Sequence, residues 1–201
     1  MANRWTSRLI FTIIIPKNKV MKTKKYILIG AVFFFSFSPV SKKKITKIGL
    51  ISFEASVPSF EEVKAKNSAV TCIINTTNGE IAALALIKGF RFKISLMEEH
   101  FNENYIESSI YPKATFKGKI EEFDYNKLGS SSKEYVIKGE LELRGKKKTI
   151  SIKSNIKKVG EIVSMTSDFI INTEDFDIKI PSLMSKKLTK DVKVNLSFDL
   201  K

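Results

Sequence analysis

Asp191-Val192-Lys193-Val194-Asn195-Leu196-Ser197-Phe198-Asp199-Leu200 alternates polar and apolar residues without a break. Successive side chains of a strand point to opposite faces. Val192, Val194, Leu196, Phe198 and Leu200 therefore share one face, and Asp191, Lys193, Asn195, Ser197 and Asp199 share the other. The same period recurs upstream. Tyr135, Ile137, Leu141 and Leu143 alternate with Lys138, Glu140, Glu142 and Arg144, and Ile150, Ile152 and Ile156 follow suit, as do Met165, Phe169 and Ile171. Strands are expected over 46–56, 69–76, 79–87, 113–123, 133–144, 147–158, 161–172 and 190–200. Asn78-Gly79 is a hairpin signal between the second and third of these, and Gly145 and Gly160 mark two later tight turns. Two segments break the pattern: Pro58 to Lys66 reads as a short helix, and Ser95 to Tyr105 has helical spacing at Leu96, Glu99 and Glu103. Residues 39–47, with Lys42, Lys43 and Lys44, read as a polar lead-in.

Eight mostly antiparallel strands with short turns indicate an all-β domain, either a closed up-and-down barrel or a sandwich. Closure removes the edge strands that invite aggregation. An eight-stranded barrel has an interior just large enough to fill with side chains or to hold one ligand. A barrel lying in a membrane would turn an apolar band outward. Here the non-apolar faces are dense in Lys and Glu, which favours a barrel facing water. The sequence carries no internal repeat and no sign of a second domain.

Ahead of the barrel, residues 1–38 contain Arg4, Arg8, Lys17, Lys19, Lys22, Lys24 and Lys25 but no Asp or Glu. From Met21 the order is three lysines, the apolar run Tyr26 to Phe37, and small residues at Ser36 and Ser38. A basic start, a short apolar stretch and a small-residue exit make a secretory signal peptide. The run is shorter than the about 20 residues of a spanning helix. Met21 fits the start of such a signal better than Met1, so residues 1–20 are expected to be an upstream extension and 39–201 the exported domain, periplasmic or secreted. No Cys follows the run, which argues against a lipid-anchored lipoprotein.

The leader also changes the meaning of the charge. The whole chain is +14, with 35 basic and 21 acidic residues. Without the leader's seven basic residues, 28 remain against 21, a net charge of +7. This modest, scattered excess gives little support for nucleic-acid binding, which needs a basic face interleaved with exposed aromatics. Cys72 is the only cysteine, so no internal disulfide forms. It lies in the apolar run Val70-Thr71-Cys72-Ile73-Ile74 and reads as a small buried hydrophobe.

Catalytic constellations are missing. There is no G-x-S-x-G, no Walker A loop, no G-x-G-x-x-G after a strand and no C-x-x-C. His100 is the only histidine, which rules out a His-rich zinc site and a two-histidine relay. Glu98, Glu99 and His100 are adjacent, and adjacent residues do not face one another on a helix. Carboxylate pairs such as Glu121-Glu122 read as surface charge. Neither an enzyme nor a metal protein is expected.

The stretch Ile87-Lys88-Gly89-Phe90-Arg91-Phe92, then Leu96-Met97-Glu98-Glu99-His100-Phe101-Asn102, then Tyr111-Pro112-Lys113-Ala114-Thr115-Phe116-Lys117-Gly118, resembles the YceI-like polyisoprenoid-binding proteins. Tyr135 to Leu141, Phe169-Ile170-Ile171 and Asp175-Phe176-Asp177-Ile178 add to the likeness, which spans 46–201. The resemblance implies an eight-stranded antiparallel lipocalin-like barrel with one or two short helices and an isoprenoid chain threaded through its interior. It also implies a periplasmic or secreted setting. Many relatives have His or Asn before the Gly of the fifth-to-sixth strand turn, followed by Val-Thr-Lys. This chain departs from them with Leu143-Arg144-Gly145-Lys146-Lys147-Lys148.

On this reading Phe90, Phe92, Met97, Phe101, Phe116, Ile137, Leu141 and Phe169 are candidates to line the tail, against ordinary core packing for each. His100, Tyr111 and Arg91 are the polar candidates near the mouth. Arg144 to Lys148 is either an attractor for an anionic head group or membrane surface, or a solvated hairpin tip. The expected partner is a long-chain isoprenoid or other apolar lipid, with no nucleic acid. No cofactor is expected beyond a bound isoprenoid lipid or quinone. Transient membrane contact and a dimer are both compatible with the sequence. Two other functions compete: an exported barrel with a filled core acting through protein partners, and a lipid hydrolase or transferase, which no motif supports.

Overall fold

The computed structural model of the chain describes residues 42–57 and 62–201. The expected signal peptide and upstream extension lie outside the described residues. Among the described residues nine strands form one antiparallel sheet: β1 (Lys43–Ser56), β2 (Lys64–Asn75), β3 (Glu80–Leu86), β4 (Arg91–Phe92), β5 (Lys113–Ile120), β6 (Lys133–Leu143), β7 (Lys146–Val159), β8 (Ile162–Asn172) and β9 (Leu188–Leu200). The order β1-β9-β8-β7-β6-β5-β3-β2, with β1 also paired to β2, closes a ring of eight, and the two-residue β4 adds to β2. The chain is an eight-stranded antiparallel barrel, and the sandwich is excluded. A helix α1 (Ser95–His100) runs on as a π-helical turn at Phe101–Tyr105, where helical spacing predicts one.

The turns follow from local chemistry. Arg144 and Gly145 both have positive φ, 48° and 71°, as a type I′ turn between β6 and β7 demands. In β1, Gly49 is required by packing: a Cβ there would stand 2.4 Å from Cδ1 of Phe198.

Two expectations fail in the β1–β2 pair, one at each end. Lys64 to Lys66, expected at the end of a short helix, begin β2, while Pro58 to Glu61 lie outside the described residues. Ala and Lys favour a helix in isolation, but Ala65 here pairs with Phe53 on one side and Phe92 on the other. Tertiary pairing overrides propensity. Likewise Lys43 and Lys44 are not a lead-in. They pair with Asn75 and Ile74 as the start of β1.

Inward residues divide the barrel into two halves. In one, Val70, Cys72, Ile74, Ile120, Ile137, Ile156, Met165, Phe198 and Leu200 are almost fully buried and pack as one cluster. Cys72 belongs to it, and burial pushes its thiol up to about 12. In the unfolded chain the thiol ionises from about pH 8.5, so stability should fall as pH rises above that value. Native protein near pH 8 is expected to resist iodoacetamide and to react promptly once unfolded in guanidinium. Rapid labelling without denaturant would show that this half opens.

Candidate functional site

The other half is hollow. A cavity of about 260 Å³ lies among the ends of the strands. Its wall takes Ile51, Phe53 and Ala55 from β1, Ala85 from β3, Ala114 from β5, Leu141 and Leu143 from β6, Phe169 and Ile171 from β8, and Val192 and Val194 from β9. The same strands that pack solidly below leave space here because small residues face each other: Ala85 and Ala114 are direct partners across β3 and β5. Met97, His100, Phe101, Tyr105 and Ile106 close one side. Thr173, Ile178, Ile180, Met184, Leu188 and Thr189 close another.

Four phenylalanines form a continuous aromatic group on the wall. Phe101 lies 5.2 Å from Phe92, 5.3 Å from Phe53 and 5.9 Å from Phe90, ring centre to ring centre. Tilted and edge contacts at these separations are the favoured aromatic geometry. Phe101 sits at the start of the π-helical turn, so the helical segment is tied to the barrel by its own apolar side. Arg91 ties it from outside: it donates to Glu98 Oε1 at 2.7 Å, and Glu98 Oε2 accepts the Phe92 amide at 3.1 Å.

Among the described residues the wall contains no Lys, Arg, Asp or Glu side chain. Its polar members are His100, Tyr105, Thr173 and Thr189. Burial raises the Tyr105 phenol above its ordinary value and keeps it protonated. Thr173 is 7% exposed, and its hydroxyl has no hydrogen-bond partner among the described residues. Buried polar groups are normally paired, so among the described residues Thr173 is the wall's one buried hydroxyl left to be satisfied. Among the described residues no cluster of three or more His, Cys, Asp or Glu could hold a metal.

The hairpin joining β6 and β7 fastens two loops beside the cavity. Arg144 pairs with Glu107, donates to the Asp177 carbonyl at 2.9 Å and lies over the Tyr111 ring. Glu107, Arg144 and Asp177 all have positive φ, near 50°, a conformation that costs non-glycine residues of order 1 kcal/mol or more. Arg144 bonds to both of the others, and the three together mark a junction the surrounding contacts hold in place. Lys146 pairs with Asp177, Lys147 with Glu140 and Lys148 with Asp175. The cations from Arg144 to Lys148 are thus matched by carboxylates, apart from the uncharged Gly145. The cluster is a hairpin tip whose charged side chains are each paired with a carboxylate.

Of the side chains singled out in the sequence, Phe90, Phe92, Met97, His100, Phe101, Leu141 and Phe169 line the cavity. The other four do not. Arg91 points outward to Glu98, and Tyr111 packs on Arg144 and against Gly145. Ile137 is 1% exposed within the solid half. Phe116 packs on that same cluster, its ring close to Gly118 and Gly139, which leave room for it. Sequence reasoning missed Phe53, Tyr105, Ile106, Thr173, Ile178, Met184 and Leu188. Phe53 shares period-two spacing with Ile51, which was a usable signal. The others lie on or beside irregular segments, where no period marks them.

The model of the YceI-like domain family matches residues 41–200. Among solved structures, a polyisoprenoid-binding domain from Saccharophagus degradans superposes with a TM-score of 0.69 at 14% identity, covering 80% of this chain and 98% of that one. BcnA of Burkholderia cenocepacia gives 0.63 at 12% identity, covering 76% and 96%. The YceI protein of Campylobacter jejuni gives 0.52 at 16%, covering 89% and 99%. At these identities the likeness to the three structures is one of fold. No curated protein matches the chain. The family match extends from just before β1 to the end of β9, over every strand of the barrel, and the chain belongs to the YceI-like domain family.

Proposed function

We propose that this protein binds a long-chain isoprenoid or similar apolar lipid inside its barrel, without catalysis, as a periplasmic or secreted carrier or store. The observation that carries this reading is the apolar cavity of about 260 Å³ in one half of the barrel. Filling such a volume with apolar groups is worth about 6 kcal/mol at ~24 cal/mol per Å³. Counted from the ligand, ten buried carbons contribute roughly 8 kcal/mol before ordering costs. The cavity lies just under the ~300 Å³ at which small-molecule sites usually begin. It therefore takes a segment of a long chain, and a longer stretch requires the methionines and the helical segment to shift.

The polyisoprenoid-binding domain among the solved relatives supports an isoprenoid over other lipids. Among the described residues His100 is the wall's only imidazole and no carboxylate or amine joins it, so no carboxylate–imidazole pair faces the cavity, which favours holding over turning over. The leader's basic and apolar pattern supports export. Thr173 offers a hydrogen bond to a polar head, and Tyr105 offers a second.

Protein recovered from the exported fraction of a bacterial host, purified without detergent, is expected to carry stoichiometric lipid by native mass spectrometry, identified after extraction. Recovery of a lipid-free mass, unchanged after incubation with isoprenoid quinones and polyprenyl phosphates, would refute the proposal. The filled-core barrel acting through protein partners would then be the better account.

A further inference from the structure

We infer that the protein docks on an anionic bilayer through the two segments that border its cavity, residues 93–97 and 179–187. Each segment carries an exposed leucine immediately before a methionine that lines the cavity. Leu96, 56% exposed, precedes Met97, and Leu183, 86% exposed, precedes Met184. A soluble surface tolerates single exposed leucines. Two of them, each one residue from the wall of the same apolar cavity, place apolar surface where a lipid must pass.

Some lysines elsewhere on the barrel are held in ion pairs, while others, such as Lys66, Lys117 and Lys157, are exposed and unpaired among the described residues. What sets the lysines of these segments apart is their place beside the exposed leucines at the cavity's border. Lys44, Lys138, Lys146, Lys147, Lys148, Lys153 and Lys190 each hold a carboxylate. Lys93, Lys179, Lys186 and Lys187 are exposed, and among the described residues none has a carboxylate within ion-pair distance. The nearest acid to Lys179 along the chain, Asp177, is held by Lys146. Unmatched lysines flanking an exposed leucine complement a negatively charged lipid surface, where each basic residue adds attraction and the apolar side chain enters the interface. The Pro181-Ser182-Leu183-Met184 turn suits this role. It is a single 3₁₀ turn whose Ser182 and Leu183 are exposed, and Ser185, Lys186 and Lys187 after it face water. Docking would set the cavity's border against the membrane, so that a lipid tail moves between bilayer and barrel with little exposure to water.

The test is vesicle flotation with the leader-free exported protein. Mixed phosphatidylcholine–phosphatidylglycerol vesicles are expected to bind it, and pure phosphatidylcholine vesicles to bind it at least about tenfold more weakly. Raising salt from about 0.1 to 1 M, which cuts the Debye length from ~10 to ~3 Å, should release most of it. Lys186→Glu with Lys187→Glu should lower affinity for the mixed vesicles at least about tenfold, and Leu183→Ser severalfold. All three residues are exposed, so the melting temperature should stay unchanged and rule out misfolding. Equal binding to both vesicle types, no binding to either, or mutants that bind like the parent would overturn the inference. Vesicle binding is read separately from co-purified lipid, so a protein that carries lipid yet ignores vesicles refutes this inference alone, and an empty barrel refutes only the function proposed above.

Discussion

Phe198→Ala is expected to cost about 3–5 kcal/mol of stability, the range for truncating a buried aromatic. Phe198 is 2% exposed at the centre of the solid half of the barrel. Met165 is its partner across β8 and β9, and Gly49 admits its ring on β1. At about 2–4 °C per kcal/mol for a domain of this size, melting should fall by roughly 6–20 °C. A stability of about 5–15 kcal/mol means that at the low end about half of the variant is unfolded. Phe101→Ala makes the contrast. Phe101 is only partly buried and already borders the cavity, so its removal should cost less stability and weaken lipid binding more. Thermal melting and lipid titration of both variants check the division. Equal stability losses, or a binding defect in Phe198→Ala while it remains folded, would show that the barrel does not separate into a half that holds the fold and a half that holds the ligand.

That division explains what could be read from the sequence. A period of two needs only one buried face, and β6 to β8 and β9 from Asp191 onward keep it, so their strands and inward residues are legible in order. In β2 the period slips. Ala65 and Asn67 face inward, then Val70, Cys72 and Ile74 do so on the opposite parity. Between Gly49↔Val70 and Ile51↔Asn67, β2 spends three residues where β1 spends two, which is a bulge. Asn67 holds it, accepting the Ala69 amide and donating to the Leu86 carbonyl, both at 2.9 Å. A lone buried Asn gives no periodic signal, so the first half of β2 reads as something else.

The site was legible for the same reason only in part. Whether an inward residue lines space or fills it depends on its neighbours across the sheet, and those depend on register. Ile137 and Leu141 lie on the same face of β6, yet Ile137 packs in the solid cluster and Leu141 lines the cavity. The difference lies in which strand ends come together at each level, which alternation does not encode. The segment from Thr173 to Leu188 supplies much of the wall through two 3₁₀ turns, and its side chains are placed by bonds such as Ile178 N–H to the Thr173 carbonyl at 3.0 Å. No strand or helix period reaches them.

The level at which space begins can be tested directly through Ala114. It faces Ala85 across β3 and β5, and the two small side chains widen the cavity at that point. Ala114→Trp puts an indole into a volume of about 260 Å³. If the ring displaces about half of ten buried carbons, binding loses roughly 4 kcal/mol, an affinity drop on the order of 1,000-fold. The lipid-free fold should change little, because the ring enters space rather than packed core; a misfit would show as the 1–3 kcal/mol typical of overpacking. Lys117→Trp, on the outward face of the same strand, supplies the control: the same residue gained, no volume lost from the cavity, and binding retained. Native mass spectrometry of both variants after export measures the difference. Lipid retained by Ala114→Trp at the parent's stoichiometry and affinity would mean that the ligand sits elsewhere on the barrel, and that the hollow between Ala85, Ala114 and Leu141 is a packing feature of the fold. Loss confined to Ala114→Trp would tie the binding energy to this cavity, because the two variants differ in which side of the sheet the indole occupies.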